Sequence, residues 1–281
     1  MTRTERARFV LDALNTAIPE PETELDYRNP YELLVAVILS AQCTDARVNL
    51  VTPALFEAYP SLEALAEAMP AEVFPFIRSV SYPNNKSKHL AGMARMVMED
   101  FGGEIPQDIK TMTKLPGVGR KTAQVVASVA FGVDALPVDT HVFRVANRIG
   151  LVPENADTVT KVERGLKRVL PQDTWTDAHH LLILHGRYTC IARAPKCDRC
   201  PLTSACVYYE RLQRLPAPLS GLKPKQGKYY CKTRRHYFDE PHLETDRYGT
   251  EQITCPKCGS MNVFDAKTGR TTKKVRDYRV G

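Results

Sequence analysis

The chain has 281 residues, 43% of them apolar and 25% charged, which is the balance of an ordinary globular protein and enough length for two domains and a small third. Its net charge of +7 lies wholly in residues 220–281, where 14 lysines and arginines face 7 aspartates and glutamates, so any polyanion-binding face on residues 1–219 must come from placement rather than composition. No run approaches the ~18 apolar residues of a membrane span, and the basic residues 1–8 lack the apolar stretch and cleavage site of a secretion signal, so a cytoplasmic protein without membrane contact is expected.

Asn29-Pro30 followed by residues 32–40 predicts a capped helix that is apolar all round (Leu33, Leu34, Val35, Val37, Ile38, Leu39) and therefore central in a core. Over residues 86–101 the apolar positions Leu90, Met93, Ala94, Val97, Met98 and Phe101 recur at helical spacing until Gly102-Gly103 stops the run. Leu115-Pro116-Gly117-Val118-Gly119-Arg120-Lys121 then sets two glycines and a lysine at the join between a tight turn and a small, apolar helix over residues 122–131. Two glycines two apart let the backbone turn sharply and a ligand approach closely, and the helix aims its first unpaired N–H groups at the same point, which suits a phosphate; a bare turn is the alternative. Burial of that helix would tether Lys121 to rigid structure. Pro137-Val138-Asp139-Thr140-His141 opens a further helix over residues 142–149, closed by Gly150, with Asp139 where an N-cap belongs. Val162, Leu166, Val169 and Leu170 repeat the helical pattern before Pro171, and residues 175–188 do so again, carrying His179, His180 and His185, read as core or surface residues before ligands. Alternating strand patterns are scarce before residue 220, so the expected architecture is all-α, and the Pro-rich Leu215-Pro216-Ala217-Pro218 marks a boundary to an extension of different composition.

In a cytoplasmic chain the eight cysteines are read as metal ligands before disulfides. Cys190, Cys197, Cys200 and Cys206 follow C-x6-C-x2-C-x5-C directly after a helix, so four thiolates can close round one metal centre. Structural zinc usually pairs two C-x2-C knuckles and only Cys197/Cys200 form one, which favours an iron-sulfur cluster over zinc. The loop between the first two ligands contains Arg193 and Lys196, cations that such a pinned loop would hold ready for a nucleic-acid backbone.

The hairpin with its glycines, the aspartate and the cysteine loop, in that order, resemble the helix-hairpin-helix base-excision DNA glycosylases, and residues 25–212 resemble the endonuclease III family in particular. Ser40-Ala41-Gln42-Cys43-Thr44-Asp45 and Leu184-His185-Gly186-Arg187-Tyr188-Thr189-Cys190 agree as well. The resemblance implies two helical domains with a DNA-binding cleft between them: a six-helix domain over residues 25–135, and a cluster domain from residues 1–24 and 136–214 that holds a 4Fe-4S centre on the four cysteines. It implies a cytoplasmic, nucleoid-associated monomer acting on double-stranded DNA with a damaged base or an abasic site. Asp139 would be catalytic, and a lysine at position 121 marks members that also cut the backbone. Gln42 and Tyr82 would fill the space left by a flipped base, with Gly117, Gly119 and Arg120 on the DNA backbone; Ser81-Tyr82-Pro83-Asn84 departs from the more common Gly-Leu-Tyr-Asn, so Tyr82 is either an aromatic wedge or a packed loop residue.

Chemistry points the same way. Breaking a sugar–base bond needs a nucleophile at the anomeric carbon, and a lysine serves only as the neutral amine, which burial and the positive end of a helix would favour at Lys121. Asp139 would stabilise positive charge on the sugar and assist proton transfer. A Schiff base to the opened sugar would acidify the neighbouring carbon and let the 3′ phosphate leave by β-elimination. A monofunctional adenine DNA glycosylase lacks the lysine at 121 and has a longer C-terminal domain; a non-catalytic DNA-binding protein needs neither Lys121 nor Asp139.

The extension, residues 215–281, lies outside the resemblance. Cys255-Pro256-Lys257-Cys258-Gly259 looks like a zinc knuckle of a small zinc-ribbon-like module. Its candidate partners are Cys231 and His236, with His242 or another ligand in place of His236, or no metal at all, as the alternatives. The positive charge and tyrosines there suit extra nucleic-acid contact or a merely solvated basic tail.

Overall fold

The computed structural model describes residues 1–214, 229–231, 236–240, 242–245, 251–257 and 263–265, which fall into two units, Met1–Leu212 and Gln213–Gly281. Helix α1 (Arg3–Ala17) opens on a capping box in which Thr2 Oγ1 accepts from Glu5 N–H and the Glu5 carboxylate from Thr2 N–H. α2 (Pro30–Ser40) is capped by Asn29, begins with proline and buries every residue from Tyr31 to Leu39, the apolar ones as their all-round pattern requires and Glu32 against the guanidinium of Arg28. There follow α3 (Asp45–Ala58), α4 (Leu62–Glu67), α5 (Pro70–Ile77), α6 (Pro83–Phe101), α7 (Ile109–Met112) and α8 (Arg120–Phe131). Then come α9 (Thr140–Ile149), α10 (Val159–Val169), α11 (Trp175–Tyr188) and α12 (Val207–Arg214).

Several of these helices start two or three residues before their apolar pattern does. α9 and α10 each gain a polar first turn because Asp139 and Thr158 accept from the N–H groups of Val142 and Lys161. A cap of this kind adds residues to a helix without adding to its periodicity.

In the first unit the apolar side chains sort into two cores. One is built on α2, against which α3, α6 and α8 pack, and it also takes in side chains of α4, α5 and α7. The other gathers α1, α9, α10 and α11, with Leu202 beneath the cysteine loop. The chain crosses from the first core to the second once after α8, through the buried Ala135, Leu136 and Val138. One polar cluster ties them together: the carboxylate of Glu163 on α10, buried to 6% exposure, accepts from Arg120 Nη2 at 3.1 Å and Gln124 Nε2 at 3.0 Å on α8, and from Lys167 Nζ at 3.0 Å.

Among the described residues the second unit holds five short strands: β1 (Tyr229–Cys231), β2 (His236–Phe238), β3 (His242–Thr245), β4 (Glu251–Thr254) and β5 (Val263–Asp265). β1 is central in an antiparallel sheet ordered β2-β1-β5, with Cys231 opposite both His236 and Val263, and β3 pairs with β4.

Candidate active site

The hairpin predicted from the glycines is present. α7 and α8 are joined by a turn in which Leu115 and Val118 are buried, and Val118 N–H donates to the Leu115 carbonyl at 3.1 Å. Gly117 has φ +78°, the left-handed region, and a β-carbon there would lie 2.8 Å from His89 Cβ, so the fold itself requires glycine. Gly119 differs from expectation. It is in extended backbone (φ −83°, ψ 171°), it is the N-cap of α8, and an added β-carbon would meet nothing within 4 Å. Nothing inside the protein needs glycine at 119, and no side chain caps α8, so its first N–H groups face outward past a bare backbone.

Lys121, in the first turn of α8, is exposed rather than buried. The expectation that burial would neutralise its amine is therefore corrected: α8 buries Ala123, Val126 and Ala127 on its inner face, while residue 121 falls on the outer one. It opens into a recess of ≈190 Å³, which Val37, Ser40, Gln42, Asp45 and Val125 line from the first core, and Asp139, His179, His180 and Arg187 from the second. An adjoining groove shares Ser40, Gln42, Asp45, Lys121, Asp139 and Arg187 and adds His141 and Phe143. Lys121 and Asp139 thus sit at the starts of successive helices on one cleft between the two cores. Asp139 Oδ1 accepts from Val142 N–H at 2.7 Å, which orients the carboxylate while leaving its second oxygen for other use.

The cleft floor is polar and held. Arg187 pairs with Glu24 and, at 2.6 Å, with Asp45 Oδ2, and the Tyr188 hydroxyl donates to Glu24. His179 is buried, with Nδ1 2.8 Å from the Pro137 carbonyl; burial, reinforced by neighbouring His180 and Lys121, drives its pKa well below the ordinary 6.5. Burial lowers His180 and His141 as well.

Gln42 and Tyr82 both stand on exposed loops, each with φ +56°, and they are the only non-glycine residues among those described with positive φ. The two loops are joined: Ser81 Oγ donates to the Gln42 carbonyl at 2.6 Å. Beneath them the buried Lys86 donates from Nζ to the carbonyls of Leu39 and Ala41, both at 2.7 Å, closing the C-terminal end of α2; burial pulls its pKa down, with Cys43 opposing. Tyr82 itself is 63% exposed.

Arg120 was expected on DNA. Its side chain is largely exposed, but one end of its guanidinium is engaged by Glu163, so in the free protein it braces α8 against α10. On the cysteine loop Arg193 is exposed and Lys196 half-buried. Arg148 at the end of α9 clasps this loop, donating to the carbonyls of Ile191 at 2.8 Å and Ala192 at 2.7 Å, lying 3.6 Å from Cys190 Sγ and stacking on Tyr208. Sequence reasoning missed Arg148, Glu163 and Lys86, because each acts across the fold on a residue far away in the chain.

Cys190, Cys197, Cys200 and Cys206 line one small recess with Ile149, His185 and Leu202, and burial pushes the thiols of Cys197, Cys200 and Cys206 up. Among the described residues the set of ligand atoms gathered within 4.8 Å of one another, as a single ion needs, lies elsewhere, at Cys231, His236 and Cys255. Four thiols more widely spaced round an apolar pocket fit a multi-iron cluster better than one ion. Cys258, the remaining candidate zinc ligand, and the alternative His242 side chain lie outside what is described.

The model of the HhH-GPD superfamily, base excision DNA repair proteins, matches residues 35–172, a span that contains the hairpin, Lys121 and Asp139. The fold is that of a helix-hairpin-helix DNA repair protein. Endonuclease III of Bacillus subtilis strain 168 is 47% identical over 206 residues, 73% of this chain and 94% of its own, and that of Escherichia coli K12 is 42% identical over 203 residues, 72% and 95%. The chain belongs to the endonuclease III family of DNA glycosylases and AP lyases, a family that implies a 4Fe-4S cluster. An endonuclease III trapped in a covalent intermediate with DNA is similar with a TM-score of 0.71 at 43% identity, covering 76% of this chain and 100% of that one. A thermostable thymine-DNA glycosylase follows at 0.65 and 27% identity, covering 74% and 97%. Among the described residues no helix is long and apolar enough to cross a membrane.

Proposed function

We propose that the chain is a bifunctional DNA glycosylase and AP lyase that removes oxidised pyrimidines from double-stranded DNA, with Lys121 as nucleophile. The observation that carries this reading is the shared cleft: a lysine amine and a capped carboxylate at the N-termini of α8 and α9, facing one recess. A relative of similar fold was solved as a covalent intermediate with DNA. Because Lys121 is exposed in the free protein, the water around its amine is displaced only when DNA closes the cleft.

In the proposed reaction Lys121 Nζ bonds to C1′ of the flipped nucleotide as the C1′–N bond breaks and the base leaves with a proton. Asp139 faces the positive charge that develops on the sugar. The C1′–O4′ bond then breaks, O4′ taking up the proton that Nζ gives up as the imine forms, a C2′ proton is removed, and the C3′–O bond breaks, releasing the 3′ phosphate. Gly119 and the open N–H groups of α8 receive a DNA phosphate. Gln42 and Tyr82 enter the gap left by the base, and Arg193 and Lys196 contact the backbone. Cys190, Cys197, Cys200 and Cys206 would hold the 4Fe-4S cluster that the family implies, which would brace the loop rather than act on the substrate. The enzyme acts as a cytoplasmic monomer on nucleoid DNA. Lys121 speaks against a monofunctional adenine glycosylase, and family membership against a docking protein without catalysis.

Borohydride added to the protein and a duplex containing thymine glycol is expected to trap a covalent adduct. Lys121→Gln should abolish it. Asp139→Asn keeps the cap, since asparagine caps as well as aspartate, and should slow base release without unfolding the chain. No adduct with the unaltered protein, or undiminished adduct with Lys121→Gln, overturns the reading; excision of adenine opposite oxidised guanine instead would favour the adenine glycosylase.

A further inference from the structure

The second unit poses a physical problem of its own. It spans Gln213–Gly281, yet its core among the described residues is Cys231, Cys255 and Val263, flanked by the partly buried Tyr229, Phe238 and Ile253. A small module whose described core is of this kind is a candidate for a staple such as a metal ion. Two of the three core residues are cysteines, at 0% and 1% exposure, and they are not joined in a disulfide.

The strand register explains why the donors meet. Cys231 ends β1 directly opposite His236, the first residue of β2, and Cys255 follows the last residue of β4. Their ligand atoms all lie within 4.8 Å of one another, with Cys255 Sγ 3.6 Å from His236 Nε2. Tetrahedral zinc with Zn–S of ~2.3 Å and Zn–N of ~2.0 Å sets its ligand atoms about 3.5–3.8 Å apart, so this pair needs no rearrangement to share an ion. Two thiols and an imidazole, with no carboxylate among them, form a donor set suited to zinc rather than to calcium, magnesium or manganese.

We propose that Cys231, His236 and Cys255 supply three of the four ligands of one structural zinc ion, which joins three separate segments of the extension. Zinc here is independent of the glycosylase reading: the donors lie in a unit that the catalytic residues do not share. Binding deprotonates the two thiols, and the protons leave to solvent.

The test is metal analysis of the full chain, purified without a polyhistidine tag, with zinc and iron measured on the same sample. About one zinc per chain is expected beside the cluster iron. Cys231→Ser and Cys255→Ser should each lose most of the zinc and keep the iron and its visible absorbance, which report that Met1–Leu212 is still folded. His236→Ala should bind zinc at least tenfold more weakly, and His236→Cys should restore it, an outcome that a general packing role for the imidazole does not produce. X-ray absorption at the zinc edge should show sulfur at ~2.3 Å together with nitrogen at ~2.0 Å. Full-length protein replete in iron but without zinc, zinc retained in both serine variants, or a zinc shell free of sulfur would each overturn the proposal.

Discussion

Gly117 and Gly119 look alike in the sequence and stand on different grounds in the structure, so the same substitution should separate them. Gly117→Ala places a methyl group at φ +78° and 2.8 Å from His89 Cβ, an atom that rotation of the His89 side chain cannot move. The left-handed backbone costs an alanine ~1–2 kcal/mol. The close contact adds about 1–3 kcal/mol, because α6 or the hairpin must shift. Reduced freedom of the unfolded chain returns about 0.4–1 kcal/mol, so the net loss is about 2–4 kcal/mol. For a helical unit of this size that lowers the unfolding midpoint by about 5–15 °C. Gly119→Ala meets no atom within 4 Å and keeps an allowed backbone, so the weaker N-cap and the stiffer unfolded chain nearly cancel and stability should stay within about 0.5 kcal/mol. Its effect should fall on DNA. If a phosphate approaches the bare backbone at 119, affinity for a duplex with an unreactive abasic analogue, read by fluorescence anisotropy, should drop at least tenfold, or about 1.4 kcal/mol. A Gly117→Ala protein as stable as the original would refute the strain argument. Gly119→Ala binding with undiminished affinity would refute the claim that an external ligand explains the second glycine.

Glu163→Gln keeps volume and one acceptor but removes the charge shared by Arg120, Gln124 and Lys167; because Arg120 and Lys167 can turn to solvent, the loss should be about 1–3 kcal/mol in denaturant unfolding, and a change no larger than that of a surface carboxylate would sink the bracing role. Burial makes His179 and His180 harder to protonate in the fold than in the unfolded chain, where a histidine takes up its proton near pH 6.5, so stability should be complete above that pH and fall as pH drops below it. A flat stability profile from pH 7 to pH 5 would contradict this. Tyr82→Gly relieves a left-handed, exposed tyrosine and should leave stability unchanged or slightly higher, while slowing excision of a paired lesion more than cleavage at a ready-made abasic site; marked destabilisation would mean the ring is structural.

What the sequence made legible is what repeats or stops at short range. The apolar run of α2, the Asn29 and Asp139 caps, the hairpin glycines and the cysteine spacing are each encoded within a few residues, and the helices followed from them. The exposure of Lys121 was not legible. Residues 121 and 123 lie on different faces of one helix, and which face meets the core depends on α2 packing against α8. Glu163 reads in sequence as one more helical carboxylate among lysines and arginines; only the meeting of α10 with α8, 39 and 43 residues apart at Gln124 and Arg120, makes it a joint between the cores. Lys86 lay in a pattern read for its apolar members, and nothing near it shows that the end of α2 needs a donor from 45 and 47 residues away.

The positions least expected from local preference cluster where the DNA is proposed to enter. Gln42 and Tyr82 hold left-handed backbone without being glycine, at a cost of ~1–2 kcal/mol each, and neither recovers it through packing because both are exposed. Such conformations persist only if neighbours impose them, and the neighbours are identifiable: Lys86 fixes the carbonyls on one side of Gln42, and Ser81 fixes its own carbonyl from the residue before Tyr82. The hydrogen bonds therefore act on backbone rather than on the side chains they present, leaving glutamine and tyrosine free of internal partners while their Cα positions are held. That is the arrangement expected of groups whose contacts come from a ligand. It also makes the two loops one device, since a change that frees the Gln42 carbonyl from Ser81 loosens the support of Tyr82 as well, so defects at Ser81 and Lys86 should be less than additive.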